Sequence, residues 1–216
     1  MITKITNKKY EIDQLNDFIY NIKINGDFSD IIYSMLKKII KNSFYDDGIF
    51  FSAESVKDLK SFLQENNGIK NYINMIDDLT KQIIYLRKKN HGFYGFDIND
   101  IIVIDDNKFV ICSCQYLLPL IEDNIVFYSP INKPYFFSPD IIINELPSQI
   151  SYKCSYYSLG VLITFCLTKK YLLKGNEIKT EEEIDKEIIC LKDTKIYWFL
   201  KRCFKTEAEK RELLLI

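Results

Sequence analysis

Six cysteines and one histidine are the side chains of this chain best suited to hold a metal ion. Their spacing argues against one. Cys112-Ser113-Cys114 is a lone C-x-C. On a strand its two thiols would share one face, because side chains alternate with period two. No second pair completes a tetrahedral zinc site. Cys154, Cys166, Cys190 and Cys203 stand far apart, and a single histidine, His91, excludes a histidine-rich site. The expectation is reduced thiols, mostly buried as small apolar groups. His91 precedes Gly92 after a helical stretch and reads as a helix C-terminal cap. Asp97 and Asp100 lie in Gly95-Phe-Asp-Ile-Asn-Asp100, where short loops use carboxylates to accept backbone N–H groups. Tyr197-Trp198-Phe199 reads as core aromatics at helical spacing, with an exposed binding patch as the alternative. Glu181-Glu182-Glu183 reads as a solvated helix N-terminus, favoured by the dipole.

The elements that position these residues read as mostly helical. Residues 10–24 and 28–42 carry apolar side chains at helical spacing, with Ile31, Ile32, Met35, Leu36 and Ile39 on one face of the second. Asp27, Ser29 and Asp30 offer capping groups at its start. Asp46-Asp47-Gly48 is a turn before a short strand, Ile49-Phe-Phe51. A short helix is expected over Ser55–Glu65, broken by Asn66-Asn67-Gly68. Residues 69–89 are the clearest helix, with Ile73, Ile76, Leu79, Ile83, Ile84 and Leu86 on its apolar face. Ile101–Ile104 and Phe109–Cys112 read as a hairpin. Residues 113–137 read as irregular, with Pro119, Pro130 and Pro134. Helices are expected again over 153–168, 182–192, 194–204 and 207–214.

Composition narrows the class. With 29 basic and 30 acidic residues the net charge is -1, which gives no basic footprint for nucleic acid and no attraction to an anionic membrane. No apolar run reaches the roughly 18 residues needed to span a bilayer. The first ten residues lack the apolar core of a secretory signal. A cytoplasmic protein is expected. At 47% hydrophobic residues the chain can bury a sizeable core.

Several segments taken in order resemble the protein-kinase superfamily. Ser138-Pro139-Asp140 resembles the family's Ala-Pro-Glu, and Ser155-Tyr-Tyr-Ser-Leu-Gly160 resembles its Asp-x-Trp-Ser-Leu-Gly. Gln82-Ile-Ile-Tyr-Leu86 resembles the end of its long second large-lobe helix, and Gly92–Val103 its catalytic loop and following strand. The AT-rich residue usage adds a likeness to kinase-like proteins of large DNA viruses. The resemblance implies a mainly α (α+β) fold, a kinase large-lobe-like helical domain with one small β-hairpin. It divides the chain into a helical N-terminal extension, residues 1–48, and a large-lobe-like domain, residues 49–216. It also implies that Arg211 pairs with Asp140, and that Ser155 stands where the family has an aspartate. Read without the resemblance, Ser155 is a helix N-cap.

The implied active site is degenerate. Setting Asp100-Ile-Ile-Val103 on the family's Asn-Ile-Leu-Val puts Gly95 at the catalytic aspartate and Ser113 at the main metal aspartate. Only Asp100 could then touch a metal. A rival register makes Asp97 the base and leaves Ser113 unchanged. The family's small lobe needs a five-stranded sheet, a glycine-rich phosphate loop, a strand lysine and a helix glutamate. About 45 residues precede Ile49, with one glycine, Gly26, so that lobe is expected to be reduced or absent. The reading that follows is a pseudokinase acting by protein binding or scaffolding, and no cofactor is expected. Its partner would be a host or viral kinase or a virion component. An active atypical kinase using ATP and Mg is one alternative, and a helical structural or virion protein is another. The last would lack both the Asp140–Arg211 pair and the hairpin.

Overall fold

In the computed structural model, residues 4–65, 68–143, 145–172 and 179–214 are described. Along the chain come β1 (Lys4–Thr6), β2 (Tyr10–Gln14), β3 (Ile19–Ile24), α1 (Ser29–Ile39), β4 (Phe44–Tyr45), β5 (Ile49–Ser52) and β6 (Val56–Asp58). Then follow α2 (Leu59–Phe62), α3 (Ile69–Arg87), β7 (His91–Phe93), β8 (Gly95–Phe96), β9 (Ile101–Ile104) and β10 (Lys108–Ile111). The remainder is β11 (Leu117–Ile121), β12 (Asn124–Phe127), β13 (Phe136–Phe137), β14 (Ser148–Ser151), α4 (Cys154–Thr168), α5 (Glu181–Ile188) and α6 (Lys195–Cys203).

The architecture is α+β, with about 39% helix and 25% strand in four antiparallel sheets, so the mainly helical expectation is wrong. The largest correction falls on residues 10–24. They form β2 and β3, not a helix. Tyr10 and Ile12, then Tyr20, Ile22 and Ile24, are buried at alternate positions, the period of a half-buried strand. Between them Asn16 Oδ1 accepts the N–H groups of Phe18 and Ile19 at 3.0 and 2.9 Å. That side-chain turn reverses the chain where a helix would have continued. The expected irregular segment 113–137 holds β11, β12 and β13. The expected C-terminal helix over 207–214 is a single 3-10 turn, Ala208–Lys210.

Two compact units form. The first comprises Met1–Lys89 and Ile98–Leu117. Its five-stranded sheet runs β1-β2-β3-β5-β4, with α1 inserted between β3 and β4. The N-terminal segment that was expected to be helical thus holds most of a five-stranded sheet. Ile32, Met35 and Leu36 are the buried side of α1. A second sheet runs β10-β9-β6. The β9–β10 hairpin turns on Asp105 and Asp106, both in the left-handed region at φ 50° and 55°, as a tight antiparallel hairpin demands.

Buried polar side chains of α3 finish the edge of β10. Gln82 Oε1 accepts from Ile111 N–H at 2.8 Å, and its Nε2 donates to Phe109 C=O at 2.7 Å. Asp78 Oδ2 accepts from Phe109 N–H at 2.9 Å. Backbone groups that would be buried without partners are satisfied in this way.

The second unit comprises Asn90–Asp97 and Leu118–Ile216. The sheet β14-β12-β11-β7 and the pair β13-β8 accompany α4, α5 and α6. Helix α4 is buried on nearly every side, from Cys154 to Thr164, which marks it as the helix around which the unit packs. Thr180 and Glu183 close a capping box at the start of α5. The expected break at Asn66-Asn67 lies outside the described residues. Among the described residues no helix is long and apolar enough to cross a membrane.

Candidate functional site

In the first unit the β1–β2 turn is drawn tight by Asn7. Its Oδ1 accepts from the backbone N–H of Lys9 at 2.7 Å and of Tyr10 at 2.9 Å. Asn25 N–H then bonds Lys9 C=O at 2.9 Å, and Cys114 Sγ donates to Asn25 C=O at 3.2 Å. Gly26 is needed at this crossing. It sits at φ +121°, and a Cβ there would lie 2.7 Å from Cys114 Sγ. The turn is therefore tied to the segment that follows β10.

These ties aim Lys9 at Asp100. Lys9 Nζ lies 2.7 Å from Asp100 Oδ1, with side chains only 15% and 3% exposed. The ring of Tyr116 faces the same ammonium at 5.1 Å, a favourable cation–π contact. Asp100 C=O accepts from Cys112 N–H at 2.8 Å, so Ser113 follows directly on the residue bonded to Asp100. Ser113 is buried, and its hydroxyl accepts from Gln115 N–H at 3.2 Å, a local turn. Nearby, Tyr10 is buried with no hydrogen-bond partner for its hydroxyl, and burial pushes its phenol far up.

Gly95 and Asp97 belong to the second unit. Gly95 lies on β8, opposite Phe137 of β13. A Cβ there would come 2.3 Å from Pro134 Cγ and 2.8 Å from Phe136 C=O. A side chain of any kind is excluded without moving the backbone of β13. Asp97 is half-buried just after β8. The strand pair sets Gly95 beside Ser138-Pro139-Asp140, and Cys154 Sγ donates to Phe93 C=O at 3.6 Å.

Arg211 meets Asp140, as expected. Its Nη1 lies 2.5 Å from Asp140 Oδ2 and its Nη2 3.3 Å from Oδ1, a two-pronged pair. The guanidinium also donates to Ser138 Oγ and to the carbonyls of Lys205 and Thr206. It faces the ring of Tyr157 at 5.1 Å and is only 1% exposed. Ser155 does not cap α4. The helix begins at Cys154, and Ser155 Oγ donates to Tyr152 C=O at 2.8 Å, inside the core. His91 opens β7, and the C-cap position of α3 is taken by Lys88, after Arg87. Five of the six cysteines are buried, and Cys190 is exposed. Phe199 is in the core, but Trp198 is not: it is 57% exposed.

Two lysines were missed in the sequence. Lys9 had no visible role because its partner lies 91 positions away. Lys23 ends the segment Tyr20-Asn-Ile-Lys23 on β3, and the helical reading of residues 10–24 hid its strand context. The alternation of Tyr20, Ile22 and Ile24 was the signal that could have found it. Its ammonium pairs with Asp47 at 2.5 Å, in a turn.

Gly95 thus sits in a closed packing, Ser113 is taken up in a local turn, and the carboxylate of Asp100 is bonded to Lys9. No group of three or more metal-ligating side chains occurs among the described residues. No protein-family model matches the chain, and no curated protein matches it.

Proposed function

We propose that this chain is a kinase-like protein with a degenerate phosphotransfer site, and that it works by binding other proteins. The observation that carries this reading is the Lys9–Asp100 ion pair at 2.7 Å. In the family a glycine-rich turn covers the nucleotide phosphates, and the residue aligned with Asp100 holds a magnesium ion. Here the corresponding turn carries an ammonium, and that ammonium is bonded to the carboxylate itself. A serine at position 113 is a poor ligand for a hard cation.

The kinase-like part of the reading draws on order and topology. A five-stranded sheet with one helix after its third strand precedes a long helix, a hairpin and a central buried helix. The Asp140–Arg211 pair and the hairpin Ile101–Ile111 are the two features that a plain helical structural protein would lack. The AT-rich residue usage leads us to propose a viral origin as well. Transfer of a binding role from pseudokinases is analogy at the level of fold.

The test is a thermal-shift titration of the full chain with ATP, with and without magnesium or manganese. A ligand present at 100 times its dissociation constant stabilises the folded form by about 2.7 kcal/mol, which is easily seen. The expected result is no metal-dependent shift at millimolar ATP. A metal-dependent shift abolished by Asp97→Asn or Asp100→Asn would overturn the degenerate reading and restore an enzyme.

A further inference from the structure

Helix α6 has an outer face that the packing of its unit does not explain. Ile196, Phe199, Leu200 and Cys203 point inward and are buried. Lys195, Trp198 and Arg202 stand at i, i+3 and i+7, which puts them in one stripe on the other side. Trp198 is the only tryptophan of the chain, and more than half of it is in water. Its indole is not loose: the ring of Tyr197 packs edge-on against it at 5.3 Å and 78°.

The charges around it are unspent. Helix α6 carries three cations and no acid. Lys201 pairs with Asp185. Lys195 and Arg202 make no ion pair and no side-chain hydrogen bond among the described residues, and Arg202 Nε is buried without a partner. Glu212 approaches only through its backbone N–H, 3.4 Å from Arg202 C=O. A guanidinium in that state gains by turning to a carboxylate, with which it makes strong paired hydrogen bonds. Rigid exposed tryptophan beside unpaired arginine is also the composition of binding hot spots.

We propose that this stripe is a docking surface for an acidic peptide segment with one bulky apolar side chain. The spacing specifies the segment. Seven residues of helix separate Lys195 from Arg202, about 10 Å. Two carboxylates three residues apart in a peptide of polyproline II conformation, with three residues per turn and a 3.1 Å rise, lie on one side about 9 Å apart. The segment is therefore acid-apolar-x-acid, its apolar side chain on the indole and its carboxylates on the two cations. Nucleic acid is the poorer occupant, because two cations are a small footprint for a phosphate backbone. The proposal rests on the reading of this chain as a binding module, but it uses no residue of the Lys9–Asp100 site.

Trp198 is its own reporter, since all indole emission comes from this stripe. The full chain is titrated with the synthetic peptide acetyl-Ser-Asp-Phe-Ser-Asp-Ser-amide while emission is followed. Three controls are used: the peptide with lysine for both aspartates, the peptide with serine for phenylalanine, and a short oligothymidylate. The expected result is a saturable blue shift with the acidic peptide alone. Arg202→Glu, checked for folding by its thermal melt, is expected to weaken binding about tenfold or more. No saturable change up to about 1 mM, an equal response to the lysine peptide, or tighter binding of oligothymidylate would each overturn the proposal. Nucleotide binding is read separately by the ATP titration, so a silent peptide with silent ATP removes only the docking surface. A peptide response together with an ATP shift removes only the degenerate active site.

Discussion

Gly95 is the residue whose identity the packing fixes most firmly, because the space for a Cβ is filled by Pro134 and the carbonyl of Phe136. Even Gly95→Ala must displace backbone. The expected cost is about 1–3 kcal/mol, the usual penalty for overpacking a closed site, read as a lower urea midpoint. A variant as stable as the parent would mean that β8 and β13 have slack, and that Gly95 is not dictated by packing. The Lys9–Asp100 pair is different in kind. A carboxylate 3% exposed is costly to bury unless a cation attends it, so the ammonium of the β1–β2 turn has a structural reason to be there. Arg211 shows the same logic on a larger scale, with Nε, Nη1 and Nη2 of its buried guanidinium all directed at oxygens.

At the scale of elements, the link between α3 and β10 is the clearest joint. Gln82 supplies both a donor and an acceptor to the edge of the strand. Replacing it with leucine keeps the volume but strands the N–H of Ile111 and the C=O of Phe109. Each buried group left without a partner costs about 1–3 kcal/mol, so Gln82→Leu is expected to lose about 3 kcal/mol in urea unfolding. Gln82→Glu keeps the acceptor for Ile111 and loses the donor, and falls between. Equal stability of the leucine variant would mean that water or another side chain serves the strand edge. The α6 stripe is the contrasting case at this scale. Its inward residues are consumed by packing, and its outward ones are left with unspent charge and an exposed ring.

For the molecule as a whole, burial sets the pH range of stability. Desolvation raises the thiols of Cys112, Cys154 and Cys203 and the phenols of Tyr10 and Tyr157 well above their ordinary values. The thiol of Cys166 is raised to about 12, again by burial. These groups are neutral when folded and ionise more readily when unfolded. Their contribution is complete below the ordinary thiol value near 8.5 and is lost progressively above it, with the phenols adding above about 10. On the acid side Glu181 is held below its usual range, first by the Thr206 N–H and then by Lys205. Its contribution is present at neutral pH and is lost as pH falls through the carboxylate range. The urea midpoint is therefore expected to be flat near neutrality and to fall on both sides, more steeply above pH 9. A midpoint unchanged to pH 11 would show that the thiols and phenols titrate in the native protein.

The residues of this chain determined locally whatever depends on short spacing. α1, α3 and α6 follow from 3.6-residue periodicity, and the β9–β10 hairpin from β-branched runs around an acidic turn. The Asp140–Arg211 pair was legible only through resemblance, because 71 positions separate the partners. β2 and β3 were misread, since Ile12, Leu15, Ile19 and Ile22 satisfy a helical spacing as well as a strand's. Only pairing with β1 and β5, and the Asn16 turn, settles the choice toward strand. Tertiary structure alone decided that Lys9 reaches Asp100, that Gly95 has no room for a side chain, and that Trp198 faces water. Each is a relation between distant segments, and burial is a property of the surroundings a residue folds into.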